Sequence, residues 1–171
     1  RLCFKAIHHV LSHHPNARIS IIVPKKVLLD QWYEEIVDEF HDLVEGVSRH
    51  SGDYSNAVAK QISVWVIHTA SHELPLLDLQ QPHMKQYPVH FLIVDELHRS
   101  TSRSFRQIYN WSGSDFDSHN WLYPEYRLGV TATLPSGDSN KVKKFEMLLR
   151  HVGPVVSQYK YADALMKGNI S

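Results

Sequence analysis

Apolar residues along this chain alternate between two spacings. Residues 2 to 12 place Leu2, Ile7, Val10 and Leu11 roughly on one helical face, and Pro15-Asn16 stops that run. Ile19 to Val23 reads as a strand closed by Pro24. Residues 26 to 40 carry Leu28, Leu29, Trp32, Ile36, Val37 and Phe40 at helical spacing. A short strand is predicted near Val47 to His50, a turn at Ser51-Gly52-Asp53, and a helix over Ser55 to Lys60. Ile62 to Ile67 alternates with high β-propensity and reads as another strand. A short helix over 71 to 79 and a loop from Gln80 to Pro88, bounded by two prolines, lead into the run from Val89 to Val94.

The second half continues the alternation. A helix is predicted from about Ser102 to Asn110, and a polar surface loop over 112 to 124. Tyr126 to Thr131 reads as a strand, 134 to 140 as a turn and Lys141 to Arg150 as a helix. Gly153-Pro154 breaks that helix, before a last strand over Val155 to Tyr159 and a closing helix over Ala162 to Lys167. Most strands lie too far apart for hairpins, so they are expected to pair in parallel through crossovers. The predicted class is α/β, a mainly parallel sheet with helices on both faces.

Bulk properties narrow the picture. The 171 residues suffice for one domain with a sizeable core. No apolar run approaches the length of a membrane span, and the first residues lack the layout of a signal peptide. The chain opens on Arg1 rather than Met, as expected of a fragment or a processed piece. Lys plus Arg equals Asp plus Glu at 18 each, so the strong basic excess of many nucleic-acid binders is missing; a local basic groove remains compatible with this balance. A single cysteine, Cys3, excludes an internal disulfide and fits a reducing compartment.

The chemistry concentrates at 89 to 98, Val-His-Phe-Leu-Ile-Val-Asp-Glu-Leu-His. A buried strand that ends in Asp95 and Glu96 puts two acids where parallel sheets bind ligands. One could hold Mg²⁺ while the other acts on attacking water in nucleotide hydrolysis. About 35 residues on, Leu128-Gly129-Val130-Thr131-Ala132-Thr133 closes another strand with small hydroxyl residues. Upstream, Pro24-Lys25-Lys26 opens a helix, and Val66-Ile67-His68-Thr69 ends a strand. Two such strand ends on one rim could grip a sugar-phosphate backbone without reading bases. His9 and His13, at i and i+4, have a spacing that can bind zinc, but no cysteine or carboxylate clearly completes the site, so polar helix-end histidines are the default reading. Of Trp65, Trp111 and Trp121, the first is expected in the core and the other two packed against the domain.

Taken in order, Val-Pro-Lys-Lys-Val-Leu-Leu-Asp-Gln-Trp, Val-Ile-His-Thr, Ile-Val-Asp-Glu-Leu-His and Leu-Gly-Val-Thr-Ala-Thr resemble the motifs of superfamily 2 helicases and translocases of the DEAD/DEAH type. The chain looks closest to the group of restriction-enzyme motor subunits and excision-repair-type helicases. Its tail, Gly153 to Val156 and Ala162 to Gly168, is similar to the end of the first motor domain there. The resemblance spans nearly the whole chain and implies a RecA-like fold of the P-loop NTPase type. It implies ATP and Mg²⁺ as cofactors and nucleic acid, DNA above all, as partner. Asp95 would bind Mg²⁺, Glu96 would orient or deprotonate water, and His98 would couple nucleotide state to motion. Thr131 and Thr133 would link the nucleotide site to the nucleic-acid site. Pro24, Lys25 and Thr69 would lie along the DNA backbone, while Gln31 and Trp32 would pack the helix. A cytoplasmic or nuclear protein with no membrane attachment follows.

The sequence departs from that family twice. Lys25 stands where the family usually has Thr, and a lysine meets phosphate only as a mobile point charge. No Gly-x-x-x-x-Gly-Lys-Ser/Thr occurs in the chain, although that loop cradles the β- and γ-phosphates. The family places it just before the first helix, which here opens at Arg1. The expectation is therefore one RecA-like domain over 1 to 171, cut short at its amino end and lacking its second motor domain. By itself the chain is expected not to hydrolyse ATP. The rival reading is a non-catalytic RecA-like interaction module with a degenerate ATPase site. A metal-dependent nuclease would need further acids at neighbouring strand ends, and none stands out.

Overall fold

The computed structural model describes residues 2–54, 57–100, 105, 108, 124–131, 137 and 139–152. In chain order they form α1 (Leu2–His13), β1 (Ala17–Val23), α2 (Lys26–Phe40), β2 (Val47–His50), β3 (Ile62–Val66), α3 (Ile67–Glu73), α4 (Leu77–Gln80), β4 (Val89–Val94), β5 (Tyr126–Gly129) and α5 (Ser139–Val152). Short 3₁₀ turns cover Gly52–Tyr54, Leu74–Leu76, Pro82–Gln86 and Leu97–Ser100.

The strands make one sheet in the order β2-β3-β1-β4-β5, and every pair is parallel. β1 sits in the middle and is buried along all seven residues, as a strand covered on both faces must be. Each fully buried Ile or Val there contributes about 1.5–3 kcal/mol. The pleat divides the core in two. Ile19, Ile21 and Val23 of β1 join Phe91 and Ile93 of β4 beneath α1 and α2. Ile22, Leu92 and Val94 face the other way, against Ile67, Ala70, Leu77, Met84 and Phe145. Helices therefore cover both faces, as the spacing predicts.

The second face also carries polar side chains, each with a partner. Arg18 is 2% exposed and meets Asp78 at 2.5 Å. It also donates to the carbonyls of Tyr87 (3.1 Å) and Met84 (2.7 Å). This fan pins the segment predicted as a plain loop. Pro82–Gln86 is instead a packed 3₁₀ turn, with Met84 inside. Ser20 bonds His90 at 2.9 Å, and His50 stacks on Trp65 with ring centroids 3.8 Å apart.

Two further sequence expectations are corrected. Residues 57 to 60 are irregular rather than helical, because Ala59 N–H is taken by the Gln81 side chain and Lys60 N–H by Ser48 Oγ. Ile67 leaves β3 and opens α3. The predicted elements at 102 to 110, 112 to 124 and 153 to 167 lie largely or wholly outside the described residues. Among the described residues no helix is long and apolar enough to cross a membrane.

Candidate active site

Parallel pairing puts the carboxyl ends of β1, β3, β4 and β5 on one rim. Val23 pairs Val66, Ile22 pairs Val94, and Val94 pairs Gly129. The chain therefore leaves the sheet side by side at Pro24, Ile67, Asp95 and Val130. Asp95 N–H still bonds Ile22 O at 2.8 Å, which sets the acid at the last rung of the ladder.

Asp95 is half-buried and held by two donors on different oxygens. The indole Nε1–H of Trp32 donates to Oδ2 at 2.9 Å, and the backbone N–H of Glu96 donates to Oδ1 at 2.9 Å. Glu96 has φ of 48°, in the left-handed region where a non-glycine residue is strained by about 1–3 kcal/mol. That reversal turns Leu97 into the core and leaves Glu96 and His98 half-exposed on either side of it. Arg99 meets Glu96 at 3.3 Å, an exposed pair one turn on, so it directs the carboxylate and adds little stability.

The turn is locked to β5. Leu97 N–H bonds Val130 O and Val130 N–H bonds Val94 O, each at 2.9 Å. His98 Nδ1 lies 2.8 Å from Thr131 Oγ1. Gly129 permits this approach, since a Cβ there would stand 2.6 Å from Leu97 Cδ2. Asp95, Glu96, His98 and Thr131 are thus brought to one place, whereas Thr133 lies outside the described residues.

Of the three residues expected along a phosphate backbone, Pro24 is half-buried and Lys25 exposed at the rim, where Lys25 caps α2 in extended conformation. Thr69 is displaced from the strand end, because it occupies the first turn of α3, half-buried on the same rim. Lys26 pairs with Asp53, and that hydrogen bond, then the charge, raises its pKa. Gln31 is exposed rather than packed. Trp32 is in the core, 3% exposed, as expected, and it also reaches Asp95, a contact that helical spacing alone does not show. The signal was there, since a buried indole N–H seeks a partner, and the helical stripe aims Trp32 at the sheet.

His9 and His13 bring their rings to 4.5 Å, but His13 Nδ1 is engaged by His9 O. Among the described residues no three His, Cys, Asp or Glu side chains gather as metal ligands. Trp65 is fully buried, and Trp111 and Trp121 lie outside the described residues.

Comparison with known proteins bears on the whole arrangement. The family described as Type III restriction enzyme, res subunit, matches residues 1–136. No curated protein matches the sequence. The SWI2/SNF2 ATPase core of Sulfolobus solfataricus, solved with dsDNA, superposes with a TM-score of 0.57 at 14% identity over 94% of this chain and 30% of that one. The Hef helicase domain of Pyrococcus furiosus gives 0.54 at 16% identity, over 92% of this chain and 31% of that one. The DUF1998 helicase MrfA, solved with DNA and AMPPNP, gives 0.50 at 16% identity, over 86% and 21%. At such identities the likeness is one of fold: the parallel sheet covered by helices that RecA-like helicase domains share. The chain spans less than a third of each of these structures.

Proposed function

The chain belongs to the family of type III restriction enzyme res subunits, and from that premise we propose that it is the first RecA-like motor domain of an ATP-dependent DNA helicase or translocase. The observation that carries the proposal is the meeting of Asp95, Glu96 and His98 with Thr131 at the carboxyl rim of a parallel sheet, closed by the 2.8 Å His98–Thr131 contact.

The donor set fits a hard divalent cation. Mg²⁺ takes oxygen ligands and is commonly held by one or two carboxylates together with substrate phosphates, so a closed protein cage is not required. Asp95 would hold it, each carboxylate oxygen keeping a lone pair beyond the one its N–H donor uses. Bound there, Mg²⁺ would neutralise charge on the phosphates of ATP. Glu96, turned out of the sheet by its left-handed backbone, would orient water and accept its proton at the carboxylate. His98 would carry the nucleotide state across to β5 through Thr131, and Thr133 would extend that link.

Pro24 and Lys25 after β1 and Thr69 in the first turn of α3 lie along the same rim, which supports a path for a DNA backbone there. Contacts of this kind position the duplex without reading sequence. A phosphate-cradling loop and a second RecA-like domain would complete the cleft. Turnover would then open and close the pair of domains on DNA.

DNA-stimulated ATP hydrolysis by the full-length protein tests this reading. Stimulation of turnover by duplex DNA is expected. Absence of any turnover, with or without DNA, would point to a non-catalytic interaction module.

A further inference from the structure

The hydrogen bond from Trp32 to Asp95 joins two parts of the domain that the functional reading treats separately. α2 begins at Lys26, directly after the rim residues Pro24 and Lys25. Trp32 lies six residues into that helix, about 9 Å along its axis. Its ring is fixed by the core, 3% exposed and edge-on to Phe4 with centroids 6.1 Å apart. A ring so held presents its N–H in one direction. The acceptor is Asp95 Oδ2 at 2.9 Å, while Oδ1 takes the Glu96 N–H. Two donors on opposite oxygens fix the carboxylate plane and leave each oxygen a free lone pair.

We propose that Trp32 is a positioning residue for the metal-binding carboxylate, tying Asp95 to the helix that starts at the nucleic-acid rim. This rests on the reading of Asp95 as the Mg²⁺ ligand. A bond from an indole to an ionised carboxylate is charge-assisted and so stronger than a neutral one. Partners that orient a metal ligand from behind are worth about 10- to 100-fold in metal affinity or activity. A displacement of α2 by DNA at Lys25 would shift the Trp32 donor and with it the Asp95 carboxylate. Contact with DNA would thus reach the cation from beneath, independently of the His98–Thr131 link on the other side.

The test uses Mn²⁺ as the probe, titrated by electron paramagnetic resonance into the full-length protein with a nonhydrolysable ATP analogue. Trp32→Phe keeps an aromatic ring and removes the N–H. It is expected to weaken Mn²⁺ binding about tenfold, and to add little once Asp95→Ala is present. An equal effect in both backgrounds would mean that the ring acts by packing alone, which overturns the proposal, as would unchanged affinity in Trp32→Phe. If Asp95→Ala itself leaves Mn²⁺ affinity unchanged, the metal-ligand reading fails first, and this proposal falls with it. Should Trp32→Phe not fold, the indole N–H resonance of the unaltered Trp32 decides. It must move in Asp95→Ala, and a resonance that stays in place refutes the contact.

Discussion

His98 Nδ1 and Thr131 Oγ1 stand 2.8 Å apart although 33 residues separate them in sequence. The bond crosses from the turn after β4 to the end of β5, so it records whether those two strand ends keep their relative position. Removing either side should loosen the same link. His98→Ala and Thr131→Ala are each expected to slow DNA-stimulated ATP hydrolysis by the full-length protein. The double variant should be no slower than the slower single one, with a coupling of about 0.5–3 kcal/mol. Steady-state rates of the four proteins check it; strict additivity would show that the two residues act separately.

Gly129 supports that link from below. A methyl group there would stand 2.6 Å from Leu97 Cδ2, and Leu97 is itself buried. Gly129→Ala is therefore expected to destabilise the fold by about 1–3 kcal/mol through overpacking. Urea unfolding measures this as a lower midpoint with an unchanged slope.

His50 gives the fold a pH dependence of definite sign. Burial against Trp65 lowers its pKa from 6.5 to about 4. The folded state thus keeps the ring neutral where the unfolded chain would protonate it. The unfolded state binds more protons between pH 6.5 and pH 4, so stability is complete above that window and falls as pH drops through it. The loss is at most about 3 kcal/mol at the low end. Unfolding free energies from pH 7 to pH 4 should show this decline, and His50→Gln should flatten it.

Lys25 stands exposed at the rim just beyond the end of β1. If it meets a DNA phosphate, Lys25→Ala weakens binding to all sequences alike. The slope of log affinity against log salt should fall by about one. Fluorescence anisotropy across a salt series reads this directly, and an unchanged slope would remove Lys25 from the path.

Much of the fold is legible in the sequence because its central strands β1, β3 and β4 are buried on both faces. β4 carries the unbroken apolar run Phe91 to Val94, β1 closes on Ile21, Ile22 and Val23, and α2 carries its buried stripe at helical spacing, so these patterns define them. The Asp95-Glu96 step stands out because acids are costly at the end of such a run unless they bind something. What escapes the sequence depends on tertiary partners. Residues 57 to 60 take their hydrogen bonds from Ser48 and Gln81 instead of from a helix. Thr69 enters a helix because β3 stops at Val66. The Trp32–Asp95 bond spans 63 positions and needs α2 to cross the sheet face. The positive φ of Glu96 follows from the turn that buries Leu97, which no local spacing announces.

The central claim is that the acids at the end of β4 turn over a nucleotide on DNA, and Glu96→Gln in the full-length protein tests it most directly. The exchange keeps size and shape and removes only the carboxylate that would accept a proton from water. ATP binding close to that of the unaltered protein is expected, together with a loss of DNA-stimulated hydrolysis of about 100-fold or more. Hydrolysis that persists at its original rate in Glu96→Gln would contradict the account.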